Sequence, residues 1–317
     1  MAKTKRATPK PTGVTFKDKY ALWHECLAGK DQNSIQQQVL RIVWDAGVYE
    51  LINEARRFAP EAPEGGVQLN GAMHRFIDHL FSETQAVAIR RLTARESLHG
   101  PKGTYSLGSL ITDMTENVVL LTRQNMWTVR EPELDSHYGR PAKQQPAAAN
   151  DALDMRGSME EHWNEYIDAL CGTSPASRSP NDTVLTTCFD QMSDRLKCCD
   201  KLGEYVNKYV AHVATPGSRA SYDAKGLKIT RAKLREAHEA ICQVVDVLSC
   251  HFLVGSSFAA YAYPLFDVFA YIDRPLVSTD GIEKLEETLN EYQRIVGRWS
   301  GNGLGWVQGN WQKKDDW

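Results

Sequence analysis

The sequence predicts an all-α fold, a helical bundle, and three observations carry the prediction. Apolar residues recur three and four positions apart through most of the 317 residues, the period of helices with one buried face. No run alternates apolar and polar residues over a useful strand length. No internal repeat divides the chain. A chain this long buries roughly three quarters of its unfolded surface and needs no disulfide or metal staple.

Residues 1–15 are basic, Pro-containing and almost free of hydrophobes, which predicts a disordered basic tail. The part over 16–130 begins with Phe16, Tyr20, Trp23 and Leu27 on one helical face. A second helix follows Ser34, carrying Val39, Ile42, Val43, Ala46 and Tyr49. Ala59-Pro-Glu-Ala-Pro-Glu-Gly-Gly66 reads as a loop. One long helix is predicted over Leu69–Ser97, from the stripe through Met73, Phe76, Leu80, Phe81, Val87 and Leu92. Arg90-Arg91 lies near its end. After Gly100-Pro-Lys-Gly103, the Tyr105-Ser-Leu-Gly-Ser-Leu110 turn leads into a helix through Val118, Leu121, Met126 and Val129.

Residues 131–157, rich in Pro, Gln, Ala and charge, lack a period and predict a linker or exposed excursion. The part over 158–296 holds short helical material around Trp163. Next comes a loop ending at Asn181-Asp182, a good cap signal. A single helix is predicted over Thr183–His212, with Leu185, Phe189, Met192, Leu196, Cys199 and Leu202 in phase. Thr230 caps a helix through Leu234, Ile241, Val245 and Phe252, and a last helix covers Thr279–Trp299. The tail over 297–317 holds Trp299, Trp306, Trp311 and Trp317, half of the eight tryptophans. So much aromatic area predicts docking, on the chain's own bundle or on a protein partner.

Composition narrows the function. A net charge of −3 argues against non-specific coating of nucleic acid but leaves room for a local basic patch. No stretch reaches the ~18 apolar residues of a membrane span, and no secretory h-region opens the chain. The seven cysteines are scattered without a CxxC pair, which predicts reduced thiols in a cytoplasmic core and no zinc site. Phosphate-loop, dinucleotide, zinc-protease and hydrolase-elbow motifs are all absent from the sequence. His74 and His79 lie five apart among apolar neighbours, a poor metal pair, and His238 with Glu239 reads as a solvated helix face. No cofactor is expected.

One stretch gathers chemistry. Tyr205-Val-Asn-Lys-Tyr-Val-Ala-His212, closed by Pro216-Gly217, brings an amide, an ammonium and an imidazole within six positions. On an α-helix Lys208 and His212 share a face, while Asn207 stands about 140° away from His212. Such a cluster is either a site or a helix cap.

The pairing of Arg90-Arg-Leu-Thr93 and the Tyr105–Leu110 turn with Asn207-Lys-Tyr-Val-Ala-His212 resembles the abortive-infection U branch of the HEPN superfamily. The resemblance covers roughly residues 16–260. It implies an all-α bundle with a HEPN-like core and a cytoplasmic antiviral-defence or toxin–antitoxin protein. It further implies a homodimer whose shared cleft cuts RNA without metal. In that frame His212 transfers protons, Asn207 orients or stabilises, and Lys208 is the phosphate cation. Where the family has its motif arginine, this chain has Val206. Three routes stay open: Lys208 supplies the cation; Arg219, Arg90 or Arg91 comes in from elsewhere; or catalysis is lost and an interaction module remains.

Overall fold

The computed structural model describes residues 14–61, 63, 70–138, 150–211, 215–220, 229–258, 267, 270, 274 and 281–300. The fold is all-α. Residues 1–262 and 263–317 form two compact units. Among the described residues there is no strand, and an isolated antiparallel bridge joins Thr122 to Thr183.

The first unit begins with α1 (Phe16–Ala28) and α2 (Ile35–Ala55). Thr15 opens α1 with a reciprocal box, its hydroxyl taking the Asp18 N–H while Asp18 takes the Thr15 N–H. Then come α3 (Gly71–Thr93), α4 (Leu107–Glu116), α5 (Arg123–Tyr138) and α6 (Asn150–Cys171). The C-terminal half holds α7 (Thr186–Arg195), α8 (Asp200–Tyr205), the short α9 (Pro216–Ala220) and α10 (Arg231–Val247). Thr230 caps α10 through the Lys233 N–H, as its position in the sequence predicts.

The middle of this unit is α4. Its apolar residues Leu107, Leu110, Ile111 and Met114 are all buried, and so are Gly108, Ser109 and Asp113. A helix buried over most of its circumference, with Thr112 and Glu116 exposed, is a core element, and full burial of each Leu or Ile is worth roughly 1.5–3 kcal/mol. α1, α3 and α7 pack around it. One hydrophobic cluster runs from Trp23 and Ile35 through Leu110, Ile167 and Phe189 to Phe252. The helices on either side of the 131–157 segment therefore share a core.

The structure corrects three expectations. The segment over 131–157 is helical at both ends: α5 runs to Tyr138 and α6 starts at Asn150, with residues 139–149 outside the described set. Pro132 inside α5 forfeits the bond to the Thr128 carbonyl. Burial of Leu134 and Arg130, the Arg130 guanidinium 4.6 Å over the Trp163 ring, and the Arg156–Asp135 ion pair at 2.8 Å hold the helix regardless. The helix expected over Thr183–His212 is broken into α7, a 3-10 turn at Leu196–Cys199, α8 and a π-helical turn at Val206–Val210. Asp182 is not its cap. That carboxylate accepts from the Ser179 N–H and from Arg123. Likewise, α10 runs into a second π turn, Leu248–Leu253.

All seven cysteines are free. Burial drives the Cys26 thiol up to about 12 and those of Cys171 and Cys242 to about 11. No described helix is long and apolar enough to cross a membrane, and no described cluster of three His, Cys, Asp or Glu could hold a metal.

In the second unit the described helix is α11 (Gly281–Ser300). The side chain of Trp299, and Trp306, Trp311 and Trp317 entirely, lie outside the described residues, as does the tail before residue 14.

Candidate functional site

Asn70 starts α3, accepting the Met73 N–H on its side chain at 2.9 Å. The helix then turns Gln85, Ala86, Ile89 and Leu92 into the core and leaves Arg90 and Arg91 on the outside. Arg91 donates from Nε to Gln38 Oε1 at 3.1 Å. Gln38 is itself fixed, because its amide nitrogen donates to the carbonyls of Asn33 and Tyr105. The two Nη groups of Arg91 make no hydrogen bond among the described residues.

The Tyr105–Leu110 stretch, expected as a turn, contains the start of α4 from Leu107 and has a structural job at the end of α3. Ser106 caps α4 by accepting the Ser109 N–H and donates its hydroxyl to the Ala94 carbonyl at 2.6 Å. Gly108 presses on the same place: a Cβ there would lie 2.4 Å from the Ala94 oxygen. Only glycine allows so close an approach.

α3 packs against α8 and against the π turn that follows it. The contact is close at Gly203, where a Cβ would meet Arg90 Cγ at 3.9 Å. Burial raises the Tyr205 phenol, and the nearby Glu83 carboxylate of α3 adds to the shift. The basic end of α3 and the Tyr205–Ala211 stretch are thus neighbours, although more than a hundred positions separate them in the sequence.

The π turn changes the angular layout of the motif. Ala211 donates to the Val206 carbonyl, five residues back, at 2.8 Å. A π turn takes about 4.4 residues per turn rather than 3.6, so the α-helical angle of about 140° does not describe it. Such turns are rare and frequent at functional sites. Val206 is 1% exposed and faces the core. Asn207 is exposed, and its side chain makes no hydrogen bond among the described residues. Lys208 is half-buried and donates to Ser218 Oγ at 2.9 Å. Ser218 sits on α9, so the lysine ties the motif to the loop beyond it. His212 lies outside the described residues, and of Arg219 only the backbone, within α9, is described.

Val210 opens on a groove of about 440 Å³ between α2 and α3. Arg41 and Asp45 line it from α2, and Glu83, Val87 and Arg91 from α3. Burial pushes the Asp45 carboxyl up, and Arg41 opposes the shift. Two guanidinium groups beside an apolar floor suit a phosphate with an attached ring; Glu83 and Asp45 limit how much anionic charge the groove accepts. Of the predicted residues, the structure brings Arg91 to this groove. Arg90 instead packs across Gly203, and Asn207 and Lys208 are not among its lining residues. Arg41 carries no sequence signal, because one arginine on an amphipathic helix reads as a solvated charge.

Two further polar clusters have structural partners throughout. Asp113 accepts from Lys19 at 2.9 Å on both oxygens, from Trp23 Nε1 at 2.7 Å, and pairs with His99 Nε2 at 2.8 Å. Burial opposes these bonds, but the donors win and hold the carboxyl below the usual range. The sequence signal was a lone Asp in an apolar helix. His238 corrects an expectation: it is not solvated. Its Nε2 lies 2.8 Å from the buried Gln85 Oε1, and burial lowers the imidazole to about 4.

Comparison of the chain with protein-family models, with curated proteins and with solved structures finds no match in any of the three.

Proposed function

We propose that this protein is an RNA-targeting defence or toxin protein of HEPN type, acting as a metal-independent endoribonuclease. One observation supports the reading most. The basic end of α3 and the Asn207–Lys208 motif, the two sequence features that the resemblance pairs, belong to helices that pack on each other. The groove at their junction holds Arg91 and Arg41 beside Val210. In this reading the arginines take the phosphate charge that the family assigns to its motif arginine. Asn207, exposed and uncommitted, stabilises the crowded phosphate, and His212 moves the proton between the 2′-hydroxyl and the leaving oxygen. A homodimer doubles the groove along the RNA strand.

A second reading rests on a specific observation too. Val206 is buried where the family carries its arginine, and Lys208 is engaged by Ser218. A HEPN-like interaction module without catalysis fits those two facts.

Incubating the purified full chain with total RNA in EDTA separates the two. The enzyme reading expects cleavage by the wild type, none by His212→Ala, and weaker cleavage by Arg91→Ala. Equal cleavage by wild type and His212→Ala, or cleavage by neither, rejects it and leaves the module.

A further inference from the structure

The groove between α2 and α3 holds polar groups that the fold itself leaves unused. Arg41 and Asp45 stand four apart on α2, within reach of an ion pair, yet they form none. Arg41 reaches the Gln32 carbonyl instead, at 3.5 Å. The Asp45 carboxylate accepts no hydrogen bond among the described residues, although burial already pushes its pKa up. The other acid of the groove is engaged: Glu83 Oε2 lies 3.5 Å from His79 Nε2 and close to Tyr205.

Gln85 lines the same groove at 1% exposure. Neutral His238 occupies its Oε1, which leaves the amide nitrogen without a hydrogen bond among the described residues. Buried polar groups are ordinarily satisfied, so a free amide nitrogen beside a free carboxylate points to a ligand. Arg91, held at Nε by Gln38, keeps both Nη groups for an anion. Ile42, Val87, Ala88 and Val210 supply apolar walls.

We propose that this groove binds a guanosine monophosphate unit, with Asp45 reading the base and Arg91 and Arg41 holding the phosphate. Of the four RNA bases only guanine sets two N–H donors side by side, on N1 and the exocyclic amino group. They match the two oxygens of one carboxylate. The carbonyl next to N1 is an acceptor for the Gln85 amide nitrogen. Adenine and cytosine place a ring-nitrogen acceptor beside the amino group, and uracil flanks its single N–H with two carbonyls. Each would turn a lone pair toward Asp45. A bare polyanion would satisfy the arginines but meet the same carboxylate, so one ligand needs both an anion and a donor edge. The volume of about 440 Å³ lies within the roughly 300–1,000 Å³ of small-molecule sites. The inference deepens the RNA reading at its groove, but binding alone reads it.

Calorimetric titration of the full chain in EDTA with the 5′-monophosphates of guanosine, adenosine, cytidine and uridine tests it. The guanine nucleotide is expected to bind at least about tenfold tighter than the other three. Inosine 5′-monophosphate lacks the amino group and should bind about tenfold weaker than the guanine nucleotide. Asp45→Asn, an isosteric change at a side chain with no hydrogen bond in the fold, should abolish both preferences. Arg91→Ala should weaken the guanine nucleotide about tenfold and guanosine, which has no phosphate, hardly at all. The pentanucleotide AAGAA distinguishes the sources. Tighter binding than the free nucleotide assigns the groove to RNA, and equal or weaker binding assigns it to a free nucleotide. Equal affinity for the four nucleotides, binding of none, inosine matching guanine, or insensitivity to either variant overturns the proposal. Guanine binding without RNA cleavage upholds it and removes the nuclease; cleavage without guanine binding does the reverse.

Discussion

His238 on α10 and Gln85 on α3 hold each other at 2.8 Å, Nε2 to Oε1, across the interface between two core helices. The contact makes acid stability a local property. Burial lowers the imidazole from 6.5 to about 4. Above pH 7 the ring is neutral whether the chain is folded or not. Below about 6.5 the unfolded chain takes up a proton that the folded chain refuses, so stability falls as the pH drops, by up to about 1.4 kcal/mol per pH unit, until the folded ring also protonates near 4. In urea unfolding at pH 7, 5.5 and 4, His238→Gln should flatten that part of the decline. An unchanged slope would remove His238 as its cause.

Lys19 and Asp113 make a buried ion pair at 2.9 Å, with both side chains about 10% exposed or less. Asp113→Ala leaves an ammonium and the Trp23 indole N–H without their acceptor. The expected loss is about 3–5 kcal/mol. Lys19→Met combined with Asp113→Leu removes both charges together and should recover most of it. Chemical denaturation of the two variants beside the wild type reads the difference.

Two glycines should respond to alanine with opposite signs. At Gly108 a Cβ would stand 2.4 Å from the Ala94 oxygen and 2.7 Å from the Thr93 oxygen, both backbone atoms. Gly108→Ala must push the end of α3 away from α4 and should cost at least about 2 kcal/mol. Gly157, exposed on α6, has nothing within 4 Å of its Cβ position. Gly157→Ala should stabilise by about 0.5–1 kcal/mol. Thermal melts of the pair check both directions.

The Thr230 cap and the α10 stripe were legible in the sequence, because a Thr before a run of three-and-four spacing leaves few other readings. The stripe expected on α3 was not borne out, since Met73, Phe76, Leu80 and Val87 are exposed while Gln85, Ala86, Ile89 and Leu92 are buried. Changes of helical winding were not legible either. The apolar phase from Phe189 to Leu202 survives a 3-10 turn and a shift into the π turn at Val206, since one extra residue per turn moves a side chain by less than the width of the buried face. Leu185, expected in phase, stands before α7 and is exposed. Pro132 misled for a related reason: it signals a break, and the cost of its missing N–H was outweighed by burial of Arg130 and Leu134, which only packing reveals. The candidate groove was half legible. The Arg90-Arg91 pair stood out, but Arg41 and Asp45 reach the site from a helix whose periodicity predicts only core and solvent faces.

Val206 supplies the sharpest test of the functional reading. Restoring the family residue by Val206→Arg looks like a repair in the sequence, yet the side chain there is 1% exposed in a π turn packed on α3. A guanidinium placed in that position has to enter the core unpaired or force the turn open. The expected result is a loss of about 3 kcal/mol or more and no gain in RNA cleavage. Arg91→Ala should differ, with cleavage reduced and a stability loss of about 1–3 kcal/mol at most, because its side chain is exposed and the Gln38 Oε1 is the acceptor it leaves behind. Melting temperature and cleavage rate measured on both variants decide the matter. If Val206→Arg cleaves faster at unchanged stability, the cation belongs at position 206 and the groove arginines are not its substitute.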